Sequence, residues 1–183
     1  FRNGGSPAIY AAMMKSLDDG VGSIMNTLDD EQLANQTIVI FTNDNGGERF
    51  SNNGGLSNAK GTLWEGGIRV PAFVRWTGKI NPGIITQQVA IPLDGINLLP
   101  VLTGKKEEIQ RTQYWRTFQR KMSKAIREGD WKYLQDENEE YLFNLSVDPG
   151  EKTNLKTEQE AIFKRLKEKF MKWQKTVLQP IPL

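Results

Sequence analysis

The run Thr37-Ile-Val-Ile-Phe-Thr42 is followed without a break by Asn43-Asp-Asn-Gly-Gly47. The first stretch is short, β-branched and apolar throughout. This pattern favours a strand covered on both faces, as in the parallel sheet of an α/β layer structure. In open α/β sheets, sites form just beyond the carboxyl ends of the strands. The junction at Thr42 therefore predicts both the fold class and the place where a functional site would lie.

The segments around this strand predict an α/β domain over residues 1–104. Ser6 and Pro7 suit the cap and first turn of a helix whose apolar residues recur at three- and four-residue spacing. The predicted elements are a helix, two further strands and a second helix, at residues 7–28, 72–76, 88–91 and 94–102.

Residues 105–183 differ in pattern from the preceding part, since short runs separated by turn-forming residues replace the longer segments, and they predict a small α+β subdomain. A charged linker, residues 105–110, comes first. Four short runs bounded by turn-forming residues then predict a small antiparallel sheet, at residues 114–118, 124–127, 131–135 and 141–144. The segment 158–177 carries its apolar residues on one side, which predicts a long amphipathic helix.

Composition restricts the chemistry available to the chain. Its 183 residues contain neither cysteine nor histidine, so a thiol nucleophile, a disulfide and a Ser-His-Asp arrangement are all excluded within it. The formal net charge of +2 argues against a protein that mainly binds nucleic acid. No apolar run approaches the roughly 20 residues of a membrane span. Catalysis here would have to use carboxylates, amides, Lys, Arg, Ser or Tyr.

Two positions directly after the strand are candidate metal ligands. Asp44 and Asn45 offer a carboxylate and an amide carbonyl, which are hard oxygen ligands suited to Ca²⁺ or Mg²⁺. An Asx-rich turn, with Gly46 and Gly47 at positive φ, explains the same residues. Calcium takes about six to eight oxygens, and this pair supplies three at most. Further ligands would have to come from elsewhere.

The loop Asn58-Ala-Lys-Gly-Thr-Leu-Trp-Glu-Gly-Gly-Ile-Arg-Val-Pro71 holds a third candidate. Lys60, carried on a glycine-rich loop, can direct its ammonium group at an oxyanion; an ordinary surface lysine is the alternative. Glu65 and Arg69 are expected to form a structural ion pair around the Gly66-Gly67 turn.

Taken in order, Asp44-Asn45-Gly46, Lys60-Gly61-Thr62 and Glu65-Gly66-Gly67-Ile68-Arg69-Val70-Pro71 closely resemble the sulfatase family of the alkaline-phosphatase-like superfamily. The resemblance extends over nearly the whole chain. Its other segments are Tyr10-Ala-Ala-Met-Met-Lys-Ser-Leu-Asp-Asp-Gly-Val-Gly22, Arg127-Glu-Gly-Asp-Trp-Lys-Tyr133 and the stretch from Tyr141 to Leu155. It implies part of an alkaline-phosphatase-like sheet-and-helix core, followed by the small C-terminal sheet and its amphipathic helix.

The resemblance also implies a chemistry. Family members hydrolyse sulfate esters with a formylglycine made from the Cys or Ser of a Cys/Ser-x-Pro-x-Arg motif, and with a calcium ion. Asp44 and Asn45 would be two of the calcium ligands, and Lys60 would contact the sulfate. The substrate would be a sulfated small molecule or a sulfated carbohydrate, and the setting periplasmic, extracellular or lysosome-like.

Several family features are absent from this sequence: the Cys/Ser-x-Pro-x-Arg motif, an N-terminal Asp pair and the catalytic histidines. We therefore expect a C-terminal fragment of a longer sulfatase, with the nucleophile outside this chain. The fragment is expected to be inactive and to bind calcium weakly. Because the partners of the 37–42 strand would then precede Phe1, an apolar sheet edge would be exposed, and self-association is expected.

Three alternatives stay open. A phosphodiesterase or phosphonate hydrolase of the same superfamily is the nearest, although phosphatase-type members tend to carry Asp-His where this chain has Asp44-Asn45. A non-catalytic carbohydrate-binding module could use the five tryptophans. An interaction domain with a dead site is the third.

Overall fold

The computed structural model describes residues 4–88, 95–117 and 122–177. The described residues form two compact units. The first is drawn from Phe1–Asn43, Arg49–Ser51 and Pro71–Ile109, and the second from Asp44–Glu48, Asn52–Val70 and Gln110–Leu183. The predicted boundary between residues 104 and 105 stays a prediction.

The first unit begins with helix α1, Pro7–Asp30. As predicted, Ser6 caps it: the Ile9 amide donates to the Ser6 hydroxyl at 3.2 Å, and Pro7 occupies the first turn. None of the residues of α1 is buried. The helix is tied to the strand pair of this unit by an ion pair between Asp29 and Arg75, at 2.6 Å. Its predicted apolar face is therefore largely exposed among the described residues, with Val21 and Leu28 only partly buried.

Strand β1, Val39–Thr42, pairs with β2, Ala72–Arg75, and the pairing is antiparallel, with Thr42 opposite Ala72. The prediction of a parallel strand covered on both faces is wrong for the described chain, since Ile40 and Phe73 are both about two-thirds exposed. A uniformly apolar run reveals the strand but not the direction of its neighbour. Here the chain loops back after β1 and returns beside it.

The rest of the first unit contains a short helix, α3, Leu99–Leu102. The predicted helix over residues 94–102 is thus found only in its last turn, and Asp94, its predicted cap, lies outside the described residues. The predicted strand at 88–91 also falls outside them except for Gln88, whose side chain exchanges hydrogen bonds with the backbone of Ile109.

The second unit is built on a four-stranded antiparallel meander, as predicted. Neighbouring strands pair in chain order, and their bounds are β3 Thr112–Thr117, β4 Ser123–Glu128, β5 Trp131–Asp136 and β6 Glu139–Asn144. The final residue of the predicted 114–118 strand, Phe118, lies outside the described residues. Helix α4, Glu160–Gln174, follows the sheet.

Both faces of this sheet are covered, which explains why its central strands do not alternate strictly between apolar and polar residues. One face packs against α4, through Leu166 and Phe170. A short helix, α2, spans Glu65–Ile68. The other face of the sheet packs against the segment that leads into α2, through Leu63. The sheet is therefore the platform that holds the residues 57–69.

No helix in the described ranges is long and apolar enough to cross a membrane.

Candidate active site

The site residues lie on two segments of the second unit, 44–48 and 52–70, that are bound to each other by their backbones. The Gly46 amide donates to the carbonyl of Gly67 at 2.8 Å, and the Lys60 amide donates to the carbonyl of Gly47 at 3.1 Å. These bonds bring the predicted metal-ligand segment beside the predicted anion-binding loop, although the two are separated by more than a dozen residues along the chain.

Two glycines make this approach possible. A Cβ at Gly46 would lie 1.8 Å from the carbonyl oxygen of Gly66, and a Cβ at Gly66 would lie 2.2 Å from the carbonyl oxygen of Asn58. Both distances are far inside van der Waals contact with backbone atoms, which cannot rotate away. The glycines therefore serve close backbone packing. The positive φ expected of Gly46 and Gly47 in an Asx-rich turn is wrong, because neither of these two residues has a positive φ.

Asp44 is exposed and Asn45 is half-buried. The Asn45 side-chain nitrogen donates to the carbonyl of Gly46 at 3.0 Å, so the amide oxygen is the end of that side chain suited to a cation. The chemistry of this pair fits a hard metal ion, but the number of donors does not complete a site. In residues 4–88, 95–117 and 122–177, no group of three or more acidic, His or Cys residues is arranged to hold a metal.

Lys60 has an exposed side chain on a tightly held backbone. Asn53 strengthens the support, since its side chain accepts from the Gly47 amide at 3.0 Å and donates to the carbonyl of Asn58 at 3.1 Å. An ammonium group on such a loop is free to meet a ligand while its main chain stays in place. This arrangement suits the binding of an anion.

Glu65 is the centre of a buried ionic cluster. The predicted contact with Arg69 is present, at 3.9 Å between Glu65 Oε2 and an Arg69 nitrogen. The stronger partner is Lys132 of β5, whose Nζ donates to Glu65 Oε1 at 2.7 Å and lies 2.8 Å from Glu151 Oε1. Glu151 also accepts from the Glu65 amide at 2.6 Å, through Oε2. Burial raises the pKa of the Glu151 carboxyl, and the charge of Lys132 opposes that rise.

Sequence reasoning missed Lys132 and Glu151. Lys132 has one signal: it follows Trp131 and precedes the apolar pair Tyr133-Leu134, so a strand buried on both faces must bury it. No pattern points to Glu151, which lies in the polar turn after β6 and has a positive φ of 55°.

The tryptophans are used for packing. Trp64 and Trp115 pack against the cluster on the loop side of the sheet, and Trp131 and Trp173 against the cluster on the α4 side. In the first unit, the Trp76 ring nitrogen donates to the carbonyl of Asn35 at 3.1 Å. These contacts weigh against a sugar-binding platform of exposed tryptophans.

Comparison with known proteins identifies the class of fold. The structure matches that of Ps i-CgsB, solved in complex with k-i-k-neocarrahexaose, with a TM-score of 0.79 and 25% identity over 94% of this chain and 44% of that one. The fold is that of part of an alkaline-phosphatase-like sulfatase, as predicted.

The sequence model of the Sulfatase family matches residues 5–103, more than half of the chain, and the chain belongs to that family. It is 37% identical to steryl-sulfatase of Mus musculus in an alignment 135 positions long, which covers 57% of this chain and 21% of that protein. It is 40% identical to arylsulfatase A of Homo sapiens in an alignment 108 positions long, which covers 56% of this chain and 21% of that protein. The matches thus span about a fifth of the length of these two relatives.

Proposed function

We propose that the natural protein that contains this chain is a sulfuric ester hydrolase, and that residues 44–48 and 52–67 form one side of its active site. The observation that carries the proposal is the backbone pairing of Gly46 with Gly67 and of Gly47 with Lys60. It supports the proposal because it joins the backbone of the segment with Asp44 and Asn45 to the backbone of the loop with Lys60, and these residues follow the order of the family motif. Membership of the Sulfatase family supports the reaction type.

Asp44 and Asn45 would be two ligands of a calcium ion. When bound, this ion would act as a Lewis acid and as a template for the sulfate group. Both residues offer the hard oxygen atoms that calcium prefers. Because the pair provides three oxygens at most and calcium takes about six to eight, the remaining ligands would come from outside this chain.

Lys60 would donate hydrogen bonds from its ammonium group to the sulfate ester. Its exposed side chain and anchored backbone support this role. A positioned cation of this kind stabilises charge that develops on the ester oxygens as the bond to the alcohol breaks. Removing one such donor costs about 10²- to 10³-fold in rate in well-studied hydrolases.

The nucleophile, a formylglycine, would lie outside residues 1–183, since the chain has neither cysteine nor the Cys/Ser-x-Pro-x-Arg motif. It follows that the isolated chain would be an inactive C-terminal fragment. The periplasm, the extracellular space or a lysosome-like compartment is the proposed location of the whole protein.

The substrate would be a sulfated small molecule or a sulfated carbohydrate. The similar structure of Ps i-CgsB was solved with k-i-k-neocarrahexaose. A second similar structure, 26% identical, is that of a protein connected with the metabolism of multiple glycosaminoglycans by Bacteroides thetaiotaomicron. The two curated relatives carry the names of steryl- and arylsulfatases. Both classes therefore belong in the first substrate screen.

The test is an assay of the natural protein against an aryl sulfate and the matching aryl phosphonate ester, with calcium and after its removal by a chelator. We expect turnover of the sulfate that is lost on chelation and restored by calcium. A preference for the phosphonate ester would reject the proposal in favour of the phosphonate-hydrolase alternative. Asn45 argues against that outcome, because a neutral amide oxygen suits one hard cation better than two softer metals.

A further inference from the structure

We propose that the buried triad Glu65–Lys132–Glu151 positions the loop that carries Lys60, and that these three residues are therefore positioning residues of the sulfate-binding site. The effect of the triad on catalysis rests on the proposed function. The effect of the triad on the structure of the loop does not, and it can be tested without any substrate.

The triad is fully enclosed in the second unit. The side chains of Lys132 and Glu151 have no exposed surface, and that of Glu65 is 3% exposed. Two carboxylates share one ammonium, and guanidinium groups of Arg69 and Arg127 each lie 3.9 Å from Glu65 Oε2. Burying such charges is costly, and well-packed apolar residues of similar volume often stabilise a fold equally well or better. What the ions add is a fixed geometry.

That geometry is passed on by hydrogen bonds at three consecutive residues, Glu65, Gly66 and Gly67. The Glu65 amide is held by Glu151 at 2.6 Å, the next amide, of Gly66, donates to the carbonyl of Ser57 at 2.8 Å, and the carbonyl of Gly67 accepts from Gly46. The site residues lie next to the partners of these bonds, because Ser57 directly precedes the loop of Lys60 and Gly46 directly follows Asp44 and Asn45. A shift of Glu65 would therefore move both the lysine and the metal-ligand segment.

The same loop has supports that do not involve the triad. The Trp64 ring nitrogen donates to Asp136 at 2.9 Å, and the Ser57 hydroxyl donates to the carbonyl of Gly150 at 2.6 Å. Leu63 remains packed against the sheet. Loss of the triad should therefore loosen the loop rather than unfold it. A displacement of about 1 Å in a catalytic group can reduce a rate by about 100-fold.

The best variant is Glu151→Gln. Glutamine has nearly the same volume and keeps an oxygen that can accept from the Glu65 amide, but it removes the charge that faces Lys132. The matched control is Glu128→Gln, which removes a carboxylate paired with Arg165 and Lys169 on the α4 side of the same sheet. Both variants lose one ion-paired carboxylate of the second unit, and only the first touches the loop.

The first measurement is amide hydrogen exchange by NMR on the 183-residue chain. In Glu151→Gln we expect exchange at Gly46, Lys60 and Gly66 to rise about tenfold or more, while the amides of β4 and β5 keep their protection. Glu128→Gln should leave these three amides unchanged. Unchanged exchange at them in Glu151→Gln would overturn the proposal. So would loss of protection throughout β4 and β5 in a Glu151→Gln chain that still unfolds cooperatively, because the triad would then stabilise the whole sheet rather than position the loop.

If Glu151→Gln does not fold, as judged by the absence of a cooperative unfolding transition, the same hydrogen-exchange measurement is made on Glu151→Asp and is judged by the same criteria. It keeps the charge but withdraws the carboxylate by one methylene, so it tests geometry alone. Loss of sheet protection in this variant as well would overturn the proposal.

The second measurement is a double-mutant cycle for sulfate hydrolysis in the natural protein. If Glu151 acts through Lys60, then Glu151→Gln lowers kcat/KM about tenfold in the wild type and by a much smaller factor in Lys60→Ala, where only its effect on the metal-ligand segment remains. If the kcat/KM of the double variant falls by the full product of the two single-variant losses, Glu151 has no role in positioning Lys60. A natural protein that does not turn over sulfate esters refutes the proposed function, while the exchange measurement still decides whether the triad holds the loop.

Discussion

The amide nitrogen of Glu65 donates a 2.6 Å hydrogen bond to Oε2 of Glu151, a residue 86 positions further along the chain. The bond joins the first residue of α2 to the turn that follows the last strand of the sheet. Lys132, on β5, lies between the two carboxylates and forms an ion pair with each of them. The C-terminal sheet therefore supports the residues that carry the proposed site.

Gly46→Ala should destabilise the second unit by about 2 kcal/mol or more, since the new methyl group would lie 1.8 Å from the carbonyl of Gly66. Either Gly46 or Gly66 has to move, and the hydrogen bond between Gly46 and Gly67 is lost. Denaturant unfolding followed by tryptophan fluorescence measures the effect. Gly20→Ala is the control, because Gly20 lies within α1 with no atom near its Cβ position. Alanine there should raise stability by up to about 1 kcal/mol; an equal loss at both positions would contradict the close approach at Gly46.

Glu128 should contribute stability that is lost in acid. Hydrogen bonds from Arg165 and Lys169 lower the pKa of its carboxyl from 4.5 to about 2. Because the folded-state pKa lies below the unfolded one, the contribution is complete above about pH 4.5 and disappears as the pH falls toward 2. The carboxylate is partly exposed, so solvent screening limits the contribution to about 1 kcal/mol.

The measurement is the free energy of unfolding of wild type and Glu128→Gln between pH 2 and pH 7. The difference between them should be largest at neutral pH and close to zero at about pH 2. A difference that stays constant with pH would show that the ion pairs with α4 do not stabilise the fold.

Calcium should bind weakly to the isolated chain. Asp44 and Asn45 offer three oxygens at most, and water would have to fill the other positions. Isothermal titration calorimetry should show no binding in the micromolar range, whereas the natural protein should bind calcium tightly and lose that affinity on Asp44→Asn. Micromolar binding by the isolated chain would show that the ligand set assigned here is incomplete.

Self-association of the isolated chain should depend on the β1–β2 pair. Ile40 is 64% and Phe73 65% exposed, and their register places them on opposite faces of the pair, since Ile40 is opposite Val74 and Phe73 is opposite Phe41. Light scattering should give a mass above that of the monomer, and Ile40→Lys should lower it. Val147→Lys is the control: Val147 is 78% exposed in the other unit. A monomeric wild-type chain would contradict the expectation.

Local rules in the sequence are enough for most of the second unit. The four strands and α4 are predictable because turn residues separate short apolar runs and because the helical period is regular in residues 158–177. In the first unit, the cap at Ser6 follows from the preference of hydroxyl side chains for the N-cap position of a helix. These features depend on neighbours in the chain.

Features that depend on distant partners are not predictable in this way. The apolar run ending at Thr42 indicates a strand, but its antiparallel pairing with β2 depends on where the chain returns. The sequence predicts that Glu65 pairs with Arg69, four residues away, whereas its closest contacts are with Lys132 and Glu151. Nothing in a polar turn marks Glu151 as buried. The roles of Asp44, Asn45 and Lys60 stay predictions.

The measurement that tests the central claim most directly is kcat/KM for an aryl sulfate with the natural protein, its Lys60→Ala variant and a Lys164→Ala control. Lys164 is an exposed lysine of α4 whose partner is Glu160. We expect Lys60→Ala to lose about 10²- to 10³-fold in kcat/KM, with an unchanged melting temperature because the Lys60 side chain is exposed. Lys164→Ala should match the wild type. A Lys60→Ala protein that hydrolyses the sulfate as fast as the control would contradict the assignment of this loop to the active site.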